Sequence, residues 1–311
     1  MMKIGIQLYS VRKHMARNPI QTLEQVAKTG YRYLETANHQ ADKDYVTGFG
    51  LSSQDTNELL LKLGVQIVSA HISPLDPKDQ AHIHKVLSQQ QAIGVKYVAT
   101  NLHDFPNREV TLYYADFLSK LGEMCAQYGI QLLYHNHFAE FRKFDGETVY
   151  DILMNHVDPA LLKIQLDTYW AMRGGADPAD LMKKYGGRVR VLHQKDYPEW
   201  AMDRMNMLTA YERNLQEAAK DLPADTEEGR KSLSARELDE RVLKVLLAEL
   251  DPATFVEIGT GIMDIQKLID TANNYCQTEY IILEQDHTQL DEMDSIRVSM
   301  DNFKKFSGII G

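Results

Sequence analysis

The chain has 311 residues and a formal net charge of −10, with 44% hydrophobic and 25% charged residues. That balance excludes global disorder and allows a sizeable core. The negative charge, with no run of five or six Lys/Arg, argues against nucleic acid as a partner. Cys125 and Cys276 fall in no CxxC or catalytic context, which fits a reduced compartment. No window reaches 18 apolar residues and the start lacks an apolar h-region, so a soluble, cytoplasmic protein without a membrane partner is expected.

In chain order, strand-like sequence is expected at 3–9, 31–36, 65–71, 95–100, 130–136, 161–167, 188–193 and 279–284. Several of these follow a helical pattern that closes on glycine, as in "KTGYRYLE", "KLGVQIVSAH", "AIGVKYVAT", "QYGIQLLYH" and "KYGGRVRVLH", the pattern of a helix C-cap feeding a buried strand. Gly30, Gly64, Gly94 and Gly129 recur about every 30 to 35 residues, the length of one βα unit. Amphipathic patterns such as "SQDTNELLLKL" and "TLYYADFLSKLGEMCAQY" fill the gaps. Eight alternating units predict an α/β fold, a single (β/α)8 TIM barrel spanning 1–311. Residues 197–251 exceed what a βα loop needs and read as a helical insertion after strand seven, serving as a lid or an oligomer contact, with "YERNLQEAAKDL" and "ARELDERVLKVLLAEL" flanking the turn "PADTEEG".

In such a barrel the C-terminal strand ends form the catalytic face. Strand three ends in His71, strand five in His135, Asn136 and His137, and strand six in Asp167. Strand seven ends in His193, with Lys195 and Asp196 beyond, and strand eight in Glu284 and Asp286. Alternation puts Gln165 with Asp167 on one face, and Val191, His193 and Lys195 on another. Imidazole with carboxylate favours a divalent ion such as Mn, Co, Zn or Mg. Lys195 can hold a substrate hydroxylate or phosphate, or pair with Asp196 or Glu257. Tyr169 and Trp170 can pack the rim or stack on a sugar ring. In "VEIGTGIMDI" the glycines permit a tight turn, Asp264 can cap the next helix, and Glu257 is a candidate substrate contact. That stretch lacks the third glycine of a dinucleotide fingerprint. His103 and Tyr9 are further rim candidates.

The segments "IGIQLYSVR", "YHNHFAEF", "QLDTYW", "LHQKD", "GTGIMD" and "LEQD" resemble the xylose-isomerase-like (β/α)8 family of sugar isomerases and epimerases, which includes inosose dehydratase and, more distantly, endonuclease IV. The resemblance implies one divalent ion held by a Glu on strand five, an Asp on strand six, a His on strand seven and a Glu on strand eight. The last three carry over onto Asp167, His193 and Glu284. The first does not, because His135 stands where the Glu is expected; His135 ranks first as fourth ligand, His137 second and Glu140 third. Family epimerases use two metal-bound glutamates, one on each face of an enediolate.

The activity expected first is therefore a sugar isomerase or epimerase transferring a proton α to a carbonyl of a sugar or polyol. A keto-sugar or inosose dehydratase on the same scaffold is the alternative, and an endonuclease IV-like repair enzyme the reading from a different class. Glu284 is the expected base, His135 or His137 the second group and Lys195 an auxiliary. His71, Glu140, Tyr169, Trp170 and Glu257 are the expected substrate contacts.

Overall fold

The computed structural model describes residues 1–37, 47–72, 75–76, 78–101, 105–220, 244, 248 and 250–311. Eight parallel strands run as β1 (Met2–Gln7), β2 (Tyr33–Ala37), β3 (Gln66–His71), β4 (Tyr97–Thr100), β5 (Gln131–His135), β6 (Leu162–Asp167), β7 (Val189–Gln194) and β8 (Tyr280–Leu283). Each pairs with the next, and β8 returns to β1 through Lys3↔Tyr280 and Ile6↔Leu283, closing the barrel. Every expected strand is present, with ends displaced by two residues at most.

Local chemistry explains the units. The helix Ser53–Leu63 starts on Ser52, whose side chain accepts from the Asp55 N–H, and ends on Gly64 at φ 64°. Gly30 closes Pro19–Thr29 in the same left-handed way, at φ 114°. A side chain in either conformation would clash with its own backbone. The large core lies between the strands' outward faces and the helices, holding residues such as Ile6, Leu34, Ile67, Val98, Leu132, Leu166, Leu192 and Ile281. A smaller cluster fills the barrel: Val68, Tyr97, Ala99, Leu133, Val191, Tyr280 and Ile282, with Tyr33 packed against it. Tyr97 donates to Glu279 Oε1 at 2.6 Å at the barrel's N-terminal end. Among the described residues, no helix is long and apolar enough to cross a membrane.

One irregularity matters for the interior. Between Leu34 and Glu35 of β2 the partner in β3 jumps from Ile67 to Ser69, so Val68 is an extra residue. Val68 faces the barrel interior, Ala70 packs in the outer core, and His71 again points inside. The bulge resets the alternation and turns an imidazole inward.

After β7 the chain enters a 3-10 helix, Glu199–Arg204, and the helix Leu208–Lys220. Tyr197, Ala201, Met207 and Tyr211 pack with Phe138, Tyr169, Trp170 and Phe255 in a separate apolar cluster. "PADTEEG" and nearly all of "ARELDERVLKVLLAEL" lie outside the described residues. Buried Arg173 ties this region down, donating to Met205 O, Arg204 O, Tyr169 Oη and Thr254 Oγ1 at 3.0–3.1 Å.

Asp196 makes a second tie. Its carboxylate accepts from four backbone N–H groups: Tyr197 and Met263 on Oδ1, at 2.8 and 3.1 Å, and Gly259 and Gly261 on Oδ2, at 2.9 and 3.0 Å. "GTGIM" is thus a backbone nest around a protein anion. A Cβ on Gly261 would lie 2.3 Å from Asp196 Oδ1 and 2.4 Å from Tyr197 O. Gly261→Ala is therefore expected to destabilise the fold by roughly 1–3 kcal/mol through overpacking, read as a lowered thermal midpoint. A midpoint equal to wild type would show that the loop yields freely.

Candidate active site at the C-terminal mouth of the barrel

Strand register brings the polar residues together. Gln7 faces Glu35, His135 faces Gln165, and Asp167 faces His193 across neighbouring strands. Glu284 follows β8 directly, its N–H donating to Gln194 O. Glu35, His71, His135, Gln165, Asp167, His193, Lys195 and Glu284 form one buried polar layer above the apolar interior.

Glu35 organises the deeper half. Its Oε1 accepts from Gln7 Nε2 at 2.8 Å and lies 3.1 Å from His71 Nε2, while its Oε2 accepts from Gln165 Nε2 at 2.5 Å. The Gln165 amide oxygen is thereby aimed at two imidazoles, His71 Nε2 at 2.7 Å and His135 Nδ1 at 3.0 Å. Those nitrogens must carry the protons. The His135 proton therefore sits on Nδ1, and its Nε2 lone pair is turned toward Asp167 Oδ2, 4.0 Å away. A fixed outer hydrogen bond of this kind prepares an imidazole to be a metal ligand.

Lys195 and His193 dominate the upper half. The Lys195 ammonium contacts Asp167 Oδ2 and Glu284 Oε2 at 2.5 Å each, with Asp286 Oδ2 at 3.7 Å. His193 Nδ1 meets Glu284 Oε2 at 2.9 Å. His193 Nε2 lies 2.6 Å from Glu35 Oε1, yet without the alignment of a hydrogen bond. Asp167 serves twice, since its Oδ1 accepts from the Trp170 N–H at 2.7 Å and caps the helix Thr168–Arg173. This leaves Oδ2 for a cation.

The electrostatics follow from burial and these contacts. Burial alone would lift Glu35, but His193 and His71 outweigh it and hold the carboxylate well below its usual range. Glu284 is likewise held down against burial, by Lys195 and His193. Burial would discharge His193, but Glu35 and Glu284 raise it to about 10. Lys195 is raised, burial being outweighed by Asp167, Asp286 and Glu284. Asp167 is pushed up by burial against the pull of Lys195, and burial together with Glu284 and Asp167 raises Asp286 to about 7. Four carboxylates, Glu35, Asp167, Glu284 and Asp286, thus face the cations of His193 and Lys195, and the surplus negative charge appears as two carboxyls that resist ionising.

This donor set fits a divalent ion. Ligand atoms of His135, Asp167, His193 and Glu284 lie within 4.8 Å of one another, as do those of His71, His135 and His193. The surplus charge and the prepared His135 Nε2 point the same way. Mixed imidazole and carboxylate donors suit zinc, manganese or cobalt.

Several expectations need correction. Glu140 is not at the metal group: it accepts from Tyr134 Oη at 2.9 Å and from the His137 N–H at 3.1 Å, bracing the turn after β5. Tyr169 is fully buried, donating to Thr254 O and stacked on Phe255, so it packs and does not stack on substrate. Glu257 accepts from Thr288 Oγ1 at 2.6 Å, outside the cluster. Lys195 pairs with Asp167 and Glu284, not with Asp196 or Glu257. His71 belongs to the floor, held by Glu35 and Gln165 and stacked on His193, where a substrate contact was expected.

His135 and His137 are not acids near neutrality. Burial with the charges of His193 and His71 pushes His135 well down, and burial with Lys195 pushes His137 to about 3. Trp170 borders the site, its ring 5.6 Å from that of His137 and 5.8 Å from Lys195 Nζ. Asp264 caps its helix through the Lys267 N–H, as expected. Tyr9 lies under the Arg12 guanidinium, 4.2 Å from ring centre, and His103 lies outside the described residues. Sequence reasoning passed over Glu35 and Gln7. The signal was available: "YLETA" carries one carboxylate in an otherwise uncharged strand, in register with Gln7.

Residues 23–306 match the family model for the xylose isomerase-like TIM barrel, and the chain belongs to that family. An inosose dehydratase of Geobacillus kaustophilus is 27% identical over 57% of this chain and 61% of its own length, so the match spans under two thirds of that relative. A sugar phosphate isomerase/epimerase structure from Parabacteroides distasonis superposes with a TM-score of 0.74 at 20% identity, covering 99% of this chain and 96% of that one. The IolI protein with a bound zinc atom gives 0.66 at 16% identity, covering 98% and 100%.

Glu140 supplies a pH test. Burial raises its carboxyl from 4.5 to about 7. A folded value above the unfolded one means that stability is full below about pH 4.5 and falls as pH rises toward 7, by about 3 kcal/mol at most. Thermal midpoints from pH 5 to 8 should show this decline in wild type and a flatter profile in Glu140→Gln. Parallel profiles would remove Glu140 as its source.

Proposed function

We propose that this chain is a divalent-metal-dependent enzyme acting α to the carbonyl of a keto-sugar or keto-inositol, and that elimination of water is its reaction. The observation that carries this reading is the chemical asymmetry of the site. Epimerisation by two like bases calls for a carboxylate on each face of the substrate, whereas here β5 presents the neutral imidazole of His135 and the carboxylate comes from Glu284. Dehydration needs unlike groups: a base for the α-proton and a donor for the departing hydroxyl. The name of the Geobacillus relative supports it, and the order expected from sequence, isomerase before dehydratase, is reversed.

In this reading His135, Asp167, His193 and Glu284 hold the ion, and the zinc named for the IolI structure supports a metal of that kind. When bound, the ion polarises the substrate carbonyl and acidifies the neighbouring C–H. Glu284 takes that proton. Asp286, raised to about 7, gives a proton to the β-hydroxyl oxygen, which the Lys195 ammonium 3.7 Å away holds. The C–H and C–O bonds break, a C=C bond forms between the two carbons, and water leaves. His137 and Trp170 wall the mouth. Isomerisation is the second reading, favoured by the description of the Parabacteroides structure, and it would use the same base without loss of oxygen.

Two outcomes are expected. Asp167→Ala and His193→Ala should lose bound divalent metal by elemental analysis while wild type retains about one ion per chain; equal metal in all three would remove the site. Metal-loaded wild type given inososes, ketoses and aldoses in deuterated water should convert an inosose or keto-sugar to an unsaturated product. Glu284→Gln should reduce that rate by about 100-fold or more. Solvent deuterium at carbon with aldose–ketose interconversion and no unsaturated product would favour the isomerase.

A further inference from the structure

The structure places a protein cation where the proposed metal would bind. Asp167 has committed Oδ1 to the Trp170 N–H, so Oδ2 is the oxygen left for a metal, and Lys195 Nζ is already 2.5 Å from it. The same ammonium is 2.5 Å from Glu284 Oε2. The prepared Nε2 of His135 also points at Asp167 Oδ2. An ion bound by these three residues would share its closest carboxylate oxygens with the ammonium. A divalent ion and the ammonium would compete for the same two oxygens and repel one another in a buried site that already holds the His193 cation.

We propose that Lys195 is a built-in competitor of the metal: its ammonium fills the ligand group in the metal-free protein and is displaced toward Asp286 when a divalent ion binds. The inference rests on the metal site argued above and assigns Lys195 a second, positioning role. Asp286 Oδ2, at 3.7 Å, is the next carboxylate within reach, and the Trp170 ring centre is 5.8 Å from Nζ. Displacement along that line moves the ammonium off the ligands and toward the mouth, where a substrate hydroxyl would meet it. The device keeps Asp167 and Glu284 paired without metal, since an unpaired buried carboxylate is strongly destabilising. It also couples metal loading to the arming of Lys195.

The test measures zinc affinity of chelator-stripped protein by competition with a chromogenic chelator, for wild type, Lys195→Met, Lys195→Arg and Asp167→Ala. Competition requires Lys195→Met to bind zinc more tightly than wild type, by roughly tenfold or more given the coupling of close charge pairs, while Lys195→Arg, which keeps the charge, stays near wild type. Metal-free Lys195→Met should melt below wild type, and zinc should raise its midpoint by more than it raises that of wild type. Equal or weaker zinc binding in a folded Lys195→Met overturns the competition and leaves the metal site standing. If wild type and Lys195→Met bind no better than Asp167→Ala, both fall together. Should Lys195→Met not fold, acylation footprinting of wild type decides: zinc should increase labelling at Lys195 several-fold, and unchanged labelling overturns the proposal.

Discussion

The constraint on which the upper barrel depends is the burial of more negative charge than its neighbouring cations neutralise. Glu35, Asp167 and Glu284 are each fully or almost fully removed from water, in a closed ring of strands whose remaining interior is apolar. Isolated, each would be strongly disfavoured. His193 bridges two of them, Lys195 bridges another pair, and Gln7 and Gln165 fix the oxygens that remain. Side-chain directions, tautomers and protonation in this layer all follow from the need to neutralise it. A network so highly charged is a poor source of stability, since apolar residues of similar size would pack the barrel without these costs. Its persistence is better understood as preorganisation for a cation and a polar ligand.

The two halves of the layer have different tasks. Glu35 and Gln165 orient His71 and His135 from below, and Glu35 also reaches up to His193. Asp167, Glu284, Lys195 and Asp286 lie above, with Asp286 the most accessible of the three carboxylates. Glu35 and Gln165 thus lie within strands while Glu284, Lys195 and Asp286 lie just past strand ends, the end of a barrel that carries chemistry in enzymes of this fold.

Much of this was legible in the sequence because periodicity and capping chemistry are local. The helix Ser53–Leu63 has the bounds its pattern gives, and Asp167, His193 and Glu284 meet as strand-end alternation requires. What escaped depended on contacts across the ring. Glu35 looks like a stray acid in a short strand until the barrel closes and brings His193 to it. The extra residue at Val68 is invisible without its partner strand. Tyr169 and Trp170 are adjacent in sequence and both pack in the Phe255 cluster, yet Trp170 also borders Lys195. The partners of Lys195 could have been read correctly, because alternation sends Asp196 to the opposite face.

The Asp196 clasp has a consequence for how this chain tolerates change. It joins residues 67 apart in sequence, holding Met263 against the end of β7. The excursion between them therefore leaves and re-enters the barrel at one fixed point, whatever its length. For a loop whose ends are already pinned, the entropy of closure grows only logarithmically, by about 0.6 kcal/mol per doubling. Extra length between such ends therefore costs little closure entropy, whereas a change that removed Tyr197, Ala201, Met207, Tyr211 or Phe255 would cost the packing of the apolar cluster.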